Sequence, residues 1–141
     1  MIAKLSAWLV AGAIASAGVA GTWRAQIEPT GESTVKGMAT VEATDSASAK
    51  AHISVSGAKE GDVLPWHVHS GTCDNAGPPV GTASAYTPLT VGADGSAMGD
   101  ATMTVAPSDS ASYVVNVHRS ASDMAVIACG LLKNGESTTP Q

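Results

Sequence analysis

Phenylalanine is absent from this 141-residue chain, whose aromatic side chains are three tryptophans and two tyrosines. A core without phenylalanine must be filled mainly by valine, alanine, leucine and isoleucine, so each residue has little apolar area to bury. Positive charge is also scarce: seven Lys and Arg against twelve Asp and Glu give a formal charge of −5, with no basic cluster. Such a surface offers no footprint for nucleic acid or for an anionic membrane. Cysteine occurs only twice, and neither residue belongs to a C-x-x-C pair, which argues against a thiolate metal centre. No long segment carries helical periodicity, and the apolar run from Leu5 to Ala17 is short for a bilayer span.

That run follows a basic residue, Lys4, and closes on Ala15-Ser16-Ala17, a small-x-small cleavage pattern. Residues 1–17 are expected to be a secretory signal peptide, with Ala20 a second cleavage position and an uncleaved anchor the alternative. No cysteine follows the run, which speaks against a lipoprotein. Export places the mature chain in the periplasm or outside the cell, with no membrane association after cleavage. Loss of Lys4 takes the charge from −5 to −6. In an oxidising compartment the two cysteines, Cys73 and Cys129, are expected to pair. Closing that loop contributes about 4 kcal/mol in the chain-entropy view.

Beyond the signal, residues 18–33 read as a flexible leader, 34–133 as a single β-domain and 134–141 as a polar tail. Apolar residues alternate in short runs separated by turn residues. Val35, Gly37, Ala39 and Val41 form one set, and Ala49, Ala51, Ile53 and Val55 a second. Leu64, Trp66 and Val68 form a third. Ala93-Asp94-Gly95 marks a turn between Leu89-Val91 and the set Ala101, Met103, Val105. Tyr113, Val115 and Val117 follow, and Val126 to Leu132 is the last strand. Seven to eight such strands with frequent turns imply an all-β, antiparallel sandwich or barrel.

Two histidines lie within the third set. Successive strand side chains alternate between faces, so His67 and His69 project together, away from Trp66 and Val68. By the same rule Asn116 and His118 lie opposite Val115 and Val117. His118 is the natural third ligand to a metal held by His67 and His69. Three neutral imidazoles suit copper and also match the three-histidine arrangement of some catalytic zinc sites. Asp123, shortly after His118, is a candidate to accept the second N–H of a ligand histidine, or is a simple turn residue. His52 alternates with Ile53 and belongs on the solvent face. Met103 reads as core filler, and Met124 as the thioether best placed near His118.

His67-Val68-His69, the loop Cys73-Asp74-Asn75-Ala76-Gly77-Pro78 and Ala128-Cys129-Gly130 together resemble the copper/zinc superoxide dismutases, over about residues 34–133. The resemblance implies a Greek-key, Ig-like β-sandwich. It implies one copper ion on His67, His69 and His118, and a Cys73–Cys129 bridge. It also ranks copper above zinc. The sequence departs from that family at several positions. Pro79 stands where the histidine shared by copper and zinc is found, and Val80-Gly81-Thr82 follows without the remaining zinc ligands, so no zinc subsite is expected. Val126 stands where the family has its guiding arginine, and Arg119 alternates toward the other face. The reading is therefore an exported copper holder or transfer protein with at most weak redox activity, serving a copper donor or acceptor. The alternatives are a copper-only superoxide dismutase and a metal-free Ig-like interaction module.

Overall fold

Alternation of apolar and polar residues sets most of the strands in the computed structural model, which describes residues 21–135. In chain order they are β1 (Thr22–Pro29), β2 (Lys36–Asp45), β3 (Ser48–Ser56), β4 (Val63–Leu64), β5 (Trp66–Gly71), β6 (Ala76–Pro79), β7 (Leu89–Thr90), β8 (Ala97–Met103), β9 (Tyr113–His118) and β10 (Val126–Asn134). A single 3₁₀ turn covers Ala83–Ala85. Among the described residues no helix is long and apolar enough to cross a membrane. The expected signal peptide, residues 1–17, lies outside the described residues, as do 136–141 of the expected tail.

Eight strands form one antiparallel sheet in the order β6-β5-β9-β10-β1-β2-β3-β8, curled into a half-barrel, and β4 pairs with β7. The chain leaves β3, enters β5 on the far side, returns to place β8 beside β3, and crosses again to lay β9 against β5. These crossings between distant strands give the Greek-key connectivity. Ladder β4–β7 links the approach to β5 with the approach to β8, so it ties the two ends of the curled sheet. Edge strand β6 carries Pro78 and Pro79, which cannot donate to a further strand and so protect that edge.

The core fills with the small side chains that the composition demands. Ala25, Ile27, Ala39, Val41, Ala49, Ala51, Ile53, Val55, Ala101 and Met103 point inward from one half, and Trp66, Val68, Val115 and Val117 from the other. Trp66 is the largest fully buried side chain, and its indole N–H donates to the Thr87 carbonyl at 2.7 Å. That bond satisfies its one polar atom inside apolar surroundings. Val105 is 44% exposed and lies beyond β8, so it is not part of the inward set expected of it.

The leader expected at residues 18–33 is corrected by the structure. Thr22–Pro29 is a full strand, paired with β2 along one side and with β10 along the other. Trp23, Ala25 and Ile27 are buried between polar Arg24, Gln26 and Glu28, a half-buried strand pattern that the Gly, Thr, Glu and Pro content obscured. The tail begins later than expected, since Lys133 and Asn134 pair with Arg24 and Trp23.

Candidate metal centre

Strand alternation places His67 and His69 on the face of β5 opposite Trp66 and Val68, and His118 on the corresponding face of β9. Pairing of β5 with β9 sets His67 directly opposite Asn116 and His69 opposite Val114. His118 lies at the end of β9, where its amide donates to the Pro65 carbonyl at 2.8 Å. The three histidines are 8%, 8% and 4% exposed, although the outer face of a sheet is normally solvated. One nitrogen from each lies within 4.8 Å of the others. Ring centroids are 5.1 Å apart for His67 and His118, 5.6 Å for His67 and His69, and 5.7 Å for His69 and His118.

Backbone carbonyls select the nitrogens that converge. His69 Nδ1–H donates to the Gly77 carbonyl at 2.9 Å, and His118 Nδ1–H donates to the Met124 carbonyl at 2.9 Å. Each bond fixes a neutral tautomer whose lone pair is on Nε2, the usual role of a group behind a metal-binding imidazole. His69 Nε2 is buried with no hydrogen-bond partner among the described residues. His118 Nε2 lies 3.2 Å from His67 Nδ1, so His67 donates a proton there as the rings stand. Transfer of that proton to His67 Nε2 would leave three lone pairs facing one point. Metal–nitrogen bonds of about 2.0–2.1 Å keep ligand nitrogens within about 4 Å of one another, so the rings need close only slightly around an ion.

Electrostatics favours neutral rings at His67 and His118. Burial, reinforced by His118 and then His69, pushes the His67 imidazole down to about 4. Burial also lowers that of His118, against the opposing effect of the Met124 carbonyl. Among the described residues the buried three-histidine group contains no carboxylate, which suits an ion that accepts nitrogen donors.

Tyr86 closes the site from the seam of the half-barrel. Its ring packs edge-on against His67 at 5.3 Å and against Trp66 at 5.1 Å, and its hydroxyl donates to the Val80 carbonyl. Burial pushes that hydroxyl up to about 12, so it stays a neutral donor. No periodic pattern marked Tyr86, because it sits in a loop held to β8 by one bridge to Ala101. The loop after β5 turns at Gly71, whose φ of 106° needs a residue without a side chain. It then carries Cys73, bonded to Cys129 of β10 as expected, and Gly77, the partner of His69.

Asp123 does not accept from His118. Its carboxylate binds Arg119 at 2.9 Å and the Ala125 amide at 3.1 Å, and these partners hold it below the usual carboxylate range. The next residue, Met124, supplies the acceptor through its backbone, so Asp123 shapes the loop rather than the histidine. Arg119 points to solvent, consistent with its place in the alternation. His52 is on the surface, bonded to Asp100 at 2.7 Å, and Met103 is core. Met124 is exposed. Pro79 pairs with His69 across β5 and β6, so the position beside His69 offers no nitrogen donor. Val126 pairs with His118 and is 38% exposed.

No protein-family model matches the chain, and no curated protein matches it in sequence. Among the described residues, the site is a buried three-histidine cluster on an antiparallel half-barrel, able to hold a metal ion.

Proposed function

We propose that this chain is an exported, superoxide-dismutase-like protein that holds one copper ion through His67 Nδ1, His69 Nε2 and His118 Nε2. The observation that carries the reading is the pair of backbone-locked rings. Gly77 and Met124 bind the Nδ1–H of His69 and His118, so Nε2 of His118 is left 3.2 Å from His67 Nδ1 and Nε2 of His69 is left without a partner among the described residues. The Cys73–Cys129 bond and the three histidines also fall where the resemblance to the copper/zinc dismutases implies them. Copper, when bound, supplies a one-electron couple that imidazole ligands sustain in both oxidation states.

The role that fits best is copper holding or transfer rather than rapid dismutation. Proline at 79, beside His69, can neither ligate nor accept a proton, and Val126 beside His118 offers an anion no charge. The chain is acidic, so its overall field repels superoxide. The test is titration of the mature, disulfide-bonded protein with copper(II), followed by electron paramagnetic resonance and a superoxide assay on one sample. One tight equivalent with nitrogen hyperfine structure, lost in His67→Ala and His118→Ala, is expected, with superoxide consumption close to that of copper peptides. A rate far above those controls would make the protein a copper-only dismutase. No tight equivalent would leave a metal-free module.

A further inference from the structure

Two buried side-chain atoms lack a hydrogen-bond partner among the described residues: His69 Nε2 and Asn116 Oδ1. Both lie on the same face of the sheet. Asn116 is 2% exposed and pairs with His67 on β5 and with Cys129 on β10. His118 follows it by two residues on β9, and His69 follows His67 by two residues in the opposite direction. His69 and His118 therefore start from opposite sides of the His67–Asn116 pair. Their rings nonetheless approach to 5.7 Å, so they lean toward each other over that pair. The three imidazoles therefore converge on the face of the sheet that carries Asn116.

A buried amide oxygen left without a partner costs the protein the hydration it had in the unfolded chain. Valine would fit the pattern of Val114, Val115 and Val117 without that cost. We infer that Asn116 belongs to the metal site, where its amide oxygen supplies a fourth, weaker donor from the floor beneath the three histidine nitrogens. A hard oxygen donor of this kind favours copper(II) over copper(I), whereas three imidazoles serve both, so Asn116 also sets the potential of the bound ion. The inference rests on the three-histidine copper reading and adds the residue that replaces the missing fourth ligand.

Asn116→Val and Asn116→Ala, each with the disulfide intact, test it with copper(II) under chelator competition, electron paramagnetic resonance and apo-protein melts. Expected are apo-Asn116→Val melting no lower than the parent, copper(II) affinity lowered at least about tenfold, an altered parallel hyperfine splitting and a raised copper potential. Equal affinity and superimposable spectra in parent and variants would overturn the role of Asn116 and leave the histidine site standing. Unfolding of both apo-variants would mark Asn116 as a structural amide and overturn it as well. Failure of the parent itself to bind copper would overturn both readings.

Discussion

The unusual residues here are histidines that are buried without counter-charges among the described residues. In the unfolded chain His67 takes up a proton near 6.5, whereas in the folded chain it does so near 4. The unfolded state therefore binds more protons between those values. The contribution of neutral His67 to stability is complete above pH 6.5 and is lost as pH falls toward 4, and His118 acts in the same direction. Thermal melts of the apo-protein from about pH 7 to about pH 4 should show a falling midpoint. Replacing His67 with Gln should flatten that fall; an unchanged slope would mean other groups carry it. Metal binding needs neutral imidazoles, so a depressed His67 would let the site keep a bound metal ion to lower pH than solvent-exposed histidines allow.

At the scale of elements, β1 is the piece whose importance is easiest to underrate. It lies between β2 and β10 and so joins the half of the sheet ending at β8 to the half that carries the histidines. Removing residues up to 30 would leave both neighbours with unpaired backbone groups and would take Trp23, Ala25 and Ile27 from a core that has no large aromatics to spare. Such a truncated protein should lose its cooperative melt and its β-type circular dichroism, whereas removal of residues 1–20 alone should not. A truncation that still folds cooperatively would show that the two halves associate without β1. Periodicity in β1 was present in the sequence, but its Gly-, Thr- and Pro-containing flanks concealed it. The alternating sets in β2, β3 and β8 were legible because each is bounded by turns such as Ala93-Asp94-Gly95, where Gly95 has a φ of 78°.

The whole molecule couples its covalent staple to its site. Cys73 and Cys129 are 56 residues apart in sequence, and their bond pins the loop that carries Gly77 to β10. Replacing both cysteines with serine should lower stability by up to about 4 kcal/mol. It should also weaken any metal binding at the three histidines, because the Gly77 carbonyl that orients His69 is released with the loop. Denaturant unfolding and chelator competition on the same variant separate the two effects. Lower stability with unchanged affinity would show that β6 holds Gly77 by itself. The small-residue core makes this bond a large share of the typical 5–15 kcal/mol that holds a domain together.

Sequence alone determined what depends on neighbours in the chain: alternating strands, small core residues, His67 and His69 on one face, and two cysteines suited to a bond. Those features follow from the two-residue period of an extended backbone and from composition. Tertiary structure decided what depends on register and closure. It brought His118 to His67, chose Nε2 on two rings through the carbonyls of Gly77 and Met124, and placed Asn116 and Tyr86 around them. It also set Asp123 aside as a loop residue. Backbone carbonyls carry no residue identity, and cross-strand register joins residues some fifty positions apart, so neither is written in any local pattern.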